Sequence, residues 1–313
     1  SHHFPFPYYW VAAVVSLFGK SIFAARLSVW LFQIVSFGIA MKLSGYRLSL
    51  GLAALIWSIL RHLYFGNMVL YHCFSGASLV VVFTIALAIT QDKGNTNWKR
   101  SLAMAFFSIV SILSQPLSVY AVVVALVCLL AKNLRQGALS SILTLGGLSC
   151  YAGYLLAPGT FPDFIRDAIF FNSQIYAKYA YTNPLRAEEL WHMVTKGLEI
   201  VDKTWLDFDP FKPISSEYSQ LDRWAFTGLL YRLSLVGSAI DLALRKQIRA
   251  ALFLYIFASA ILITGKWGFH SQPFVMVSLV AIAAVTTREW CHGEKTKIIE
   301  MSETVVSFLF GLA

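Results

Sequence analysis

Residues 69–90 read VLYHCFSGASLVVVFTIALAIT, twenty-two positions without a single Asp, Glu, Lys or Arg. Wound as an α-helix the stretch is about 33 Å long, enough to cross the hydrocarbon core of a bilayer. It is not alone. Apolar runs recur at 22–42, 47–60, 101–114, 117–131, 138–156, 224–243, 248–264 and 271–287, and a further one begins near 303. Hydrophobic residues make up 58% of the chain and charged ones 13%, with a mean hydropathy of +0.65. Soluble domains carry roughly 25% charge, so the expectation is one all-α polytopic transmembrane bundle, about nine full spans plus a partial one. The short runs 101–114 and 117–131 flank Ser-Gln-Pro at 114–116. A re-entrant hairpin is the alternative there, and either reading returns the chain to the same side.

Lysine and arginine set the orientation, because short cytoplasmic loops are enriched in them. One set of alternate loops holds Lys42, Arg47, Lys93, Lys99, Arg100, Lys132, Arg135, Arg245, Lys246, Arg249, Arg288, Lys295 and Lys297. The short loops of the other set hold Arg61 and Lys266. Thirteen against two predicts a multi-pass protein of a bacterial-type inner membrane or its equivalent, with the first set cytoplasmic. The net charge of +9 is therefore topological, and nucleic acid is not an expected partner; the lipid bilayer is. Cys73, Cys128, Cys150 and Cys291 stand singly, without the spacing of a disulfide framework or a zinc site.

These runs divide the chain into four parts. Residues 1–20 hold the twelve-residue apolar segment YYWVAAVVSLFG (8–19), too short to span and suited to an interfacial helix. Residues 21–157 are transmembrane helices. The loop 158–222 falls on the exoplasmic side and carries ten of the sixteen acidic residues; its alternating apolar and polar positions suggest amphipathic helices lying on the membrane. Residues 223–313 return to transmembrane helices.

Several polar residues sit where they can meet a ligand. Arg61 and His62 end a span on the exoplasmic side, with headgroup anchoring as the competing reading. Arg232 lies within the apolar run LLYRLSLVG; an intramembrane charge marks function by default, but its position permits snorkelling. Lys266 and His270 are four residues apart and share a face if helical. His72, beside Cys73 at a span start, reads as packing. Glu188, Glu189, Asp207 and Asp209 are the clustered carboxylates of the long loop, read as solvated charge or acceptor recognition.

HHFPFPYYWVAAVVSLFGKSIFAARL (2–27) resembles a stretch of the GT-C superfamily of membrane glycosyltransferases, which includes protein O-mannosyltransferases and lipid A aminoarabinose transferases. His3, Pro5, Pro7, Tyr8, Trp10, Leu17, Phe18, Gly19, Ser21, Phe23, Ala25, Arg26 and Leu27 carry the likeness. SILSQPLSVY (111–120) and KWGFHSQPFVMVSLVAIAA (266–284), with His270 and Pro273, are similar to later family segments. The resemblance implies sugar transfer from a polyprenyl-phosphate donor to an exoplasmic acceptor, with no certain cofactor beyond a divalent metal in some members. It implies substrate contacts at His3, Arg26 and Gln115, the last standing where the family often has Lys. A structural ion pair is the equal alternative for Arg26. The family's catalytic Asp precedes the His-Pro stretch, yet residues 1–91 contain no Asp or Glu. The expectation is an N-terminally truncated chain whose acid lies upstream of Ser1. A degenerate, non-catalytic subunit is the first alternative and a transporter the second.

Overall fold

The computed structural model describes residues 6–61, 69, 71–91, 97–156, 159, 161–166, 238–244, 247–262 and 272–287. Every regular element among them is helical. In chain order they are α1 (Phe6–Phe18), α2 (Ile22–Ser44), α3 (Arg47–Leu60), α4 (Tyr71–Thr90), α5 (Trp98–Ser114) and a 3₁₀ turn (Pro116–Ser118). There follow α6 (Val119–Lys132), α7 (Leu134–Leu156), the four-residue α8 (Phe161–Phe164), α9 (Ser238–Leu244), α10 (Ile248–Leu262) and α11 (Gln272–Thr286).

The stretch that announced the fold is its axis. Residues His72 to Ile89 of α4 are all buried, and α2, α5, α6, α10 and α11 pack around them. Outside this ring α3 bridges α2 and α11, α7 bridges α5 and α6, and α1 lies on α2 and α5. Two aromatic clusters fasten the ring to the axis. Phe32 of α2 has its ring centroid 5.2 Å from Phe74 of α4, 6.2 Å from Phe107 of α5 and 5.7 Å from Phe6 of α1. Phe83 of α4 meets Phe253 and Phe257 of α10 at 5.9 and 5.3 Å. Each such pair adds about 0.5–1.5 kcal/mol beyond the area it buries.

The outer helices have inverted polarity. The buried residues of α7 are Gln136, Gly137, Ser140 and Thr144, a small and polar stripe at helical spacing. Its exposed residues include Leu139, Ile142, Leu145 and Leu156. In water this arrangement would be inside out; in lipid, small and polar residues are what helices press together. Three helices, Ile22–Ser44, Tyr71–Thr90 and Leu134–Leu156, are long and apolar enough to cross a membrane by length and composition. The chain is a membrane protein. Of the nine expected spans these three have full length, while α3, α5, α6, α10 and α11 run 14 to 17 residues, about 21–26 Å each.

Capping residues set the observed helix ends. Asn97 accepts from the Lys99 amide at 2.9 Å and starts α5 three residues before the apolar run; Asn133 does the same for α7 through the Gln136 amide at 3.1 Å. Gly45, at φ 84°, stops α2 in the left-handed conformation that glycine adopts without steric cost.

Hydrogen bonds tie the basic turns together at one end of the bundle. The Tyr46 hydroxyl, from the α2–α3 turn, donates to Gln91 at the end of α4. Gln91 in turn donates to Gln247, which precedes α10, at 2.7 Å. Ser49 and Thr287 join α3 to the end of α11 at 3.1 Å. The Gln136 amide donates to the Asn97 carbonyl at 3.1 Å, joining the α6–α7 and α4–α5 turns. Lys42, Arg47, Lys99, Arg100, Lys132, Arg135 and Arg249 therefore share an end, while the other six basic loop residues lie outside the described residues. From that end α5 runs beside α4 until Ser111 meets Ser75 at 3.1 Å, close to the opposite end. The α5–α6 hairpin thus runs from the basic turns to the far end of α4.

Most of the 158–222 segment, the first half of the 224–243 run and the run from 303 lie outside the described residues. The expected interfacial segment is α1, with Phe6, Pro7, Trp10 and Val14 turned inward and Tyr8, Tyr9, Leu17 and Phe18 exposed.

Candidate functional site

At the end opposite the basic turns, polar groups are buried where the helices meet. Pro116 creates the site. The residue before a proline is pushed out of the helical region, so Gln115 is extended at φ −143°, ψ 104° and α5 stops at Ser114. Proline with its fixed φ and missing N–H then begins the 3₁₀ turn that leads into α6. Gln115 still donates its amide to the Ser111 carbonyl at 2.8 Å, and its carbonyl accepts from the Ser118 amide at 2.9 Å. The turn is held tightly, with the Gln115 side chain 3% exposed.

Around it stand hydroxyls from two helices. Ser108, Ser111, Ser114 and Ser118 are buried, as are Ser75 and Ser78 on α4. Ser78 donates to the Phe74 carbonyl at 2.7 Å, and Ser75 pairs with Ser111. The hydroxyls of Ser108, Ser114 and Ser118 have no hydrogen-bond partner among the described residues. A buried hydroxyl left in that state costs about 1–3 kcal/mol, and three of them lie between positions 108 and 118. His72 is fully buried one turn before Ser75, its ring 3.8 Å from that of Tyr71. Gly76, on the next turn of the axis, is where α11 arrives: a Cβ there would stand 2.8 Å from the Met276 sulfur and 3.0 Å from the Pro273 Cα.

The arrangement offers neutral donors and acceptors. The described acidic residues are Asp163, which pairs with Arg166 at 3.2 Å on the surface beyond α7, and Asp241 on α9. Among the described residues no group of three His, Cys, Asp or Glu is placed to hold a metal ion. Cys73 is buried, Cys128 half-buried and Cys150 exposed, all free thiols.

Of the residues singled out from sequence, Arg26, Arg61 and Gln115 are described; His3, His62, Arg232, Lys266 and His270 lie outside the described residues, as do Glu188, Glu189, Asp207 and Asp209. The three do not form one site. Gln115 joins α5 to α6, whereas Arg61 ends α3, which packs on α2 and α11 in another sector of the ring. Arg26 is exposed on α2. His72 was legible only as packing, and the serines carry no sequence signal; Ser108, Ser111, Ser114 and Ser118 flank Gln115 along the chain, while the pairing of α4 with α5 brings in Ser75 and Ser78.

Compared with protein-family models, curated proteins and solved structures, the chain gives no match.

Proposed function

We propose that the chain is a multi-pass membrane protein of the lipid-phosphosugar glycosyltransferase class. Its basic turns face the cytoplasm, and its substrate site lies at the opposite, exoplasmic end. The observation that carries this reading is the pair of buried hydroxyls at Ser114 and Ser118, without a hydrogen-bond partner among the described residues, beside the fixed Gln115 turn. The resemblance of residues 2–27 to GT-C enzymes supplies the chemistry. In such a transfer the acceptor oxygen bonds to the anomeric carbon as its bond to the donor phosphate breaks. The acceptor's proton passes to a base, and the departing phosphate needs hydrogen-bond donors. Gln115, Ser114 and Ser118 supply donors. His3, His62, Arg232, Lys266 and His270 are the further candidates for donor or acceptor contacts.

A second reading has a specific observation behind it. Residues 1–91 contain no carboxylate, and none of the described residues around Gln115 is one. A non-catalytic subunit that binds the lipid phosphate without transferring sugar has that composition. Both readings are tested by thermal unfolding of the protein in nanodiscs with polyprenyl monophosphate. Saturation a hundredfold above Kd stabilises the folded state by about 2.7 kcal/mol, seen as a rise of several degrees in Tm. Gln115→Ala should remove most of that rise. An equal rise with polyprenol lacking the phosphate, or no rise at all, would sink both readings. Release of labelled sugar from a loaded donor separates enzyme from binder.

A further inference from the structure

Arg61 and Trp30 make a second polar feature, on the perimeter of the bundle. The Arg61 guanidinium carbon lies over the Trp30 ring, 5.7 Å from its centroid. Arg26 is four residues before Trp30 on α2, so both arginines belong to one face of the α2–α3 pair. Stacking occupies the flat face of the guanidinium and leaves its N–H edge for a ligand. The Arg61 Nε is buried and has no hydrogen-bond partner among the described residues. Burial lowers the Arg61 pKa from its ordinary value; a guanidinium in a protein nonetheless keeps its charge. Among the described residues no carboxylate lies on the helices that pack with α2 and α3. Residues 1–91 have none, and the stretch 272–287, which includes α11, has none.

The surroundings say what kind of molecule brings the missing anion. Arg61 follows directly on the exposed Leu55, Ile56 and Ile59 of α3, and the adjoining face of α2 exposes Phe23 and Trp30. A cation at the head of an outward apolar stripe stands where acyl chains end and phosphates begin. Two arginines with no acidic neighbour among the described residues suit an anionic headgroup better than a zwitterionic one, whose ammonium would want a carboxylate.

We propose that Arg26, Trp30 and Arg61 form a binding site for the phosphate of an anionic membrane phospholipid, held as a bound lipid on the bundle perimeter and separate from the Gln115 cluster. The proposal rests on the chain being a membrane protein and not on sugar transfer, so it survives or fails independently of the transferase reading. Phosphate grips a guanidinium in a two-pronged, charge-assisted contact. Native mass spectrometry of the full chain tests it, with phosphatidylglycerol or phosphatidylcholine added to the micelle. Wild type should retain phosphatidylglycerol about tenfold more strongly than phosphatidylcholine, a difference of about 1.4 kcal/mol. Arg61→Gln should abolish the preference, and Arg26→Gln and Trp30→Leu should each weaken it. Excess inorganic phosphate should not displace the lipid. Equal retention of the two lipids by wild type would overturn the proposal, as would an undiminished preference in both Arg61→Gln and Arg26→Gln. Displacement by inorganic phosphate would show an anion site indifferent to lipid and overturn it equally. Arg61 caps the end of α3 at a partly exposed position and Arg26 is exposed in the first turns of α2, and unchanged melting of each variant checks that the fold is kept.

Discussion

The two ends of the bundle spend their polar groups differently. At the basic end, Tyr46, Gln91 and Gln247 form a closed chain, Ser49 meets Thr287, and Gln136 bonds the backbone of the neighbouring turn. At the other end Ser114 and Ser118 are equally buried and have no hydrogen-bond partner among the described residues. Polar groups that satisfy one another hold helices in place. Polar groups left waiting cost stability, and a protein keeps them where something else binds.

The comparison breaks most severely where the basic end is tightest. Gly137 of α7 lies so close to α6 that a Cβ would stand 2.5 Å from the Leu130 amide nitrogen and 2.6 Å from its Cα. Backbone cannot swing aside as a side chain can. Gly137→Ala should cost about 3 kcal/mol, the upper part of the range for overpacking, read as a large fall in Tm. Tyr46→Phe comes next. It leaves Gln91 short of a donor in a buried position and should cost about 1–3 kcal/mol, measured by the same melt. At the opposite end the expectation reverses. Ser114→Ala and Ser118→Ala remove buried hydroxyls that bond nothing among the described residues, so each should raise stability by about 1–3 kcal/mol, the cost of leaving a buried hydroxyl unsatisfied. Each should nevertheless reduce stabilisation by polyprenyl phosphate. A large loss of stability there would show that the hydroxyls are structural after all.

The smallest effect is a titration. Tyr9 of α1 hydrogen-bonds Tyr154 of α7, and this contact holds the Tyr9 phenol above its ordinary value of 10.0, with the nearness of Tyr154 and partial burial adding to the shift. A raised pKa means the contribution is complete below pH 10 and disappears as pH rises through the folded value. Tm should therefore fall slightly more between pH 9 and 11 in wild type than in Tyr9→Phe.

Much of this architecture was legible in the sequence because lipid imposes long apolar runs and a charge bias between loops. The 47–60 run coincides with α3, and the basic turns gather at one end as their alternation implied. Helix starts at Trp98 and Leu134 were missed by three and four residues. The apolar runs begin after Lys99, Arg100 and Arg135, while the helices begin at the asparagine caps before them. The site was harder to read. Gln115 was singled out through a resemblance, but Ser75 and Ser111 are thirty-six positions apart in sequence, and nothing in composition foretells that α4 and α5 bring them to 3.1 Å. The stacking of Arg61 on Trp30 likewise depends on how α3 folds back along α2.

The central claim is that the Gln115 cluster and the basic turns lie on opposite sides of a membrane. Cysteine labelling tests it directly in a background lacking Cys73, Cys128, Cys150 and Cys291. Lys20→Cys in the exposed α1–α2 turn and Arg135→Cys in the exposed first turn of α7 mark the two ends. A membrane-impermeant maleimide should label the first in intact cells and the second only after permeabilisation. Labelling of both from the same side, or in the reverse order, would contradict the account.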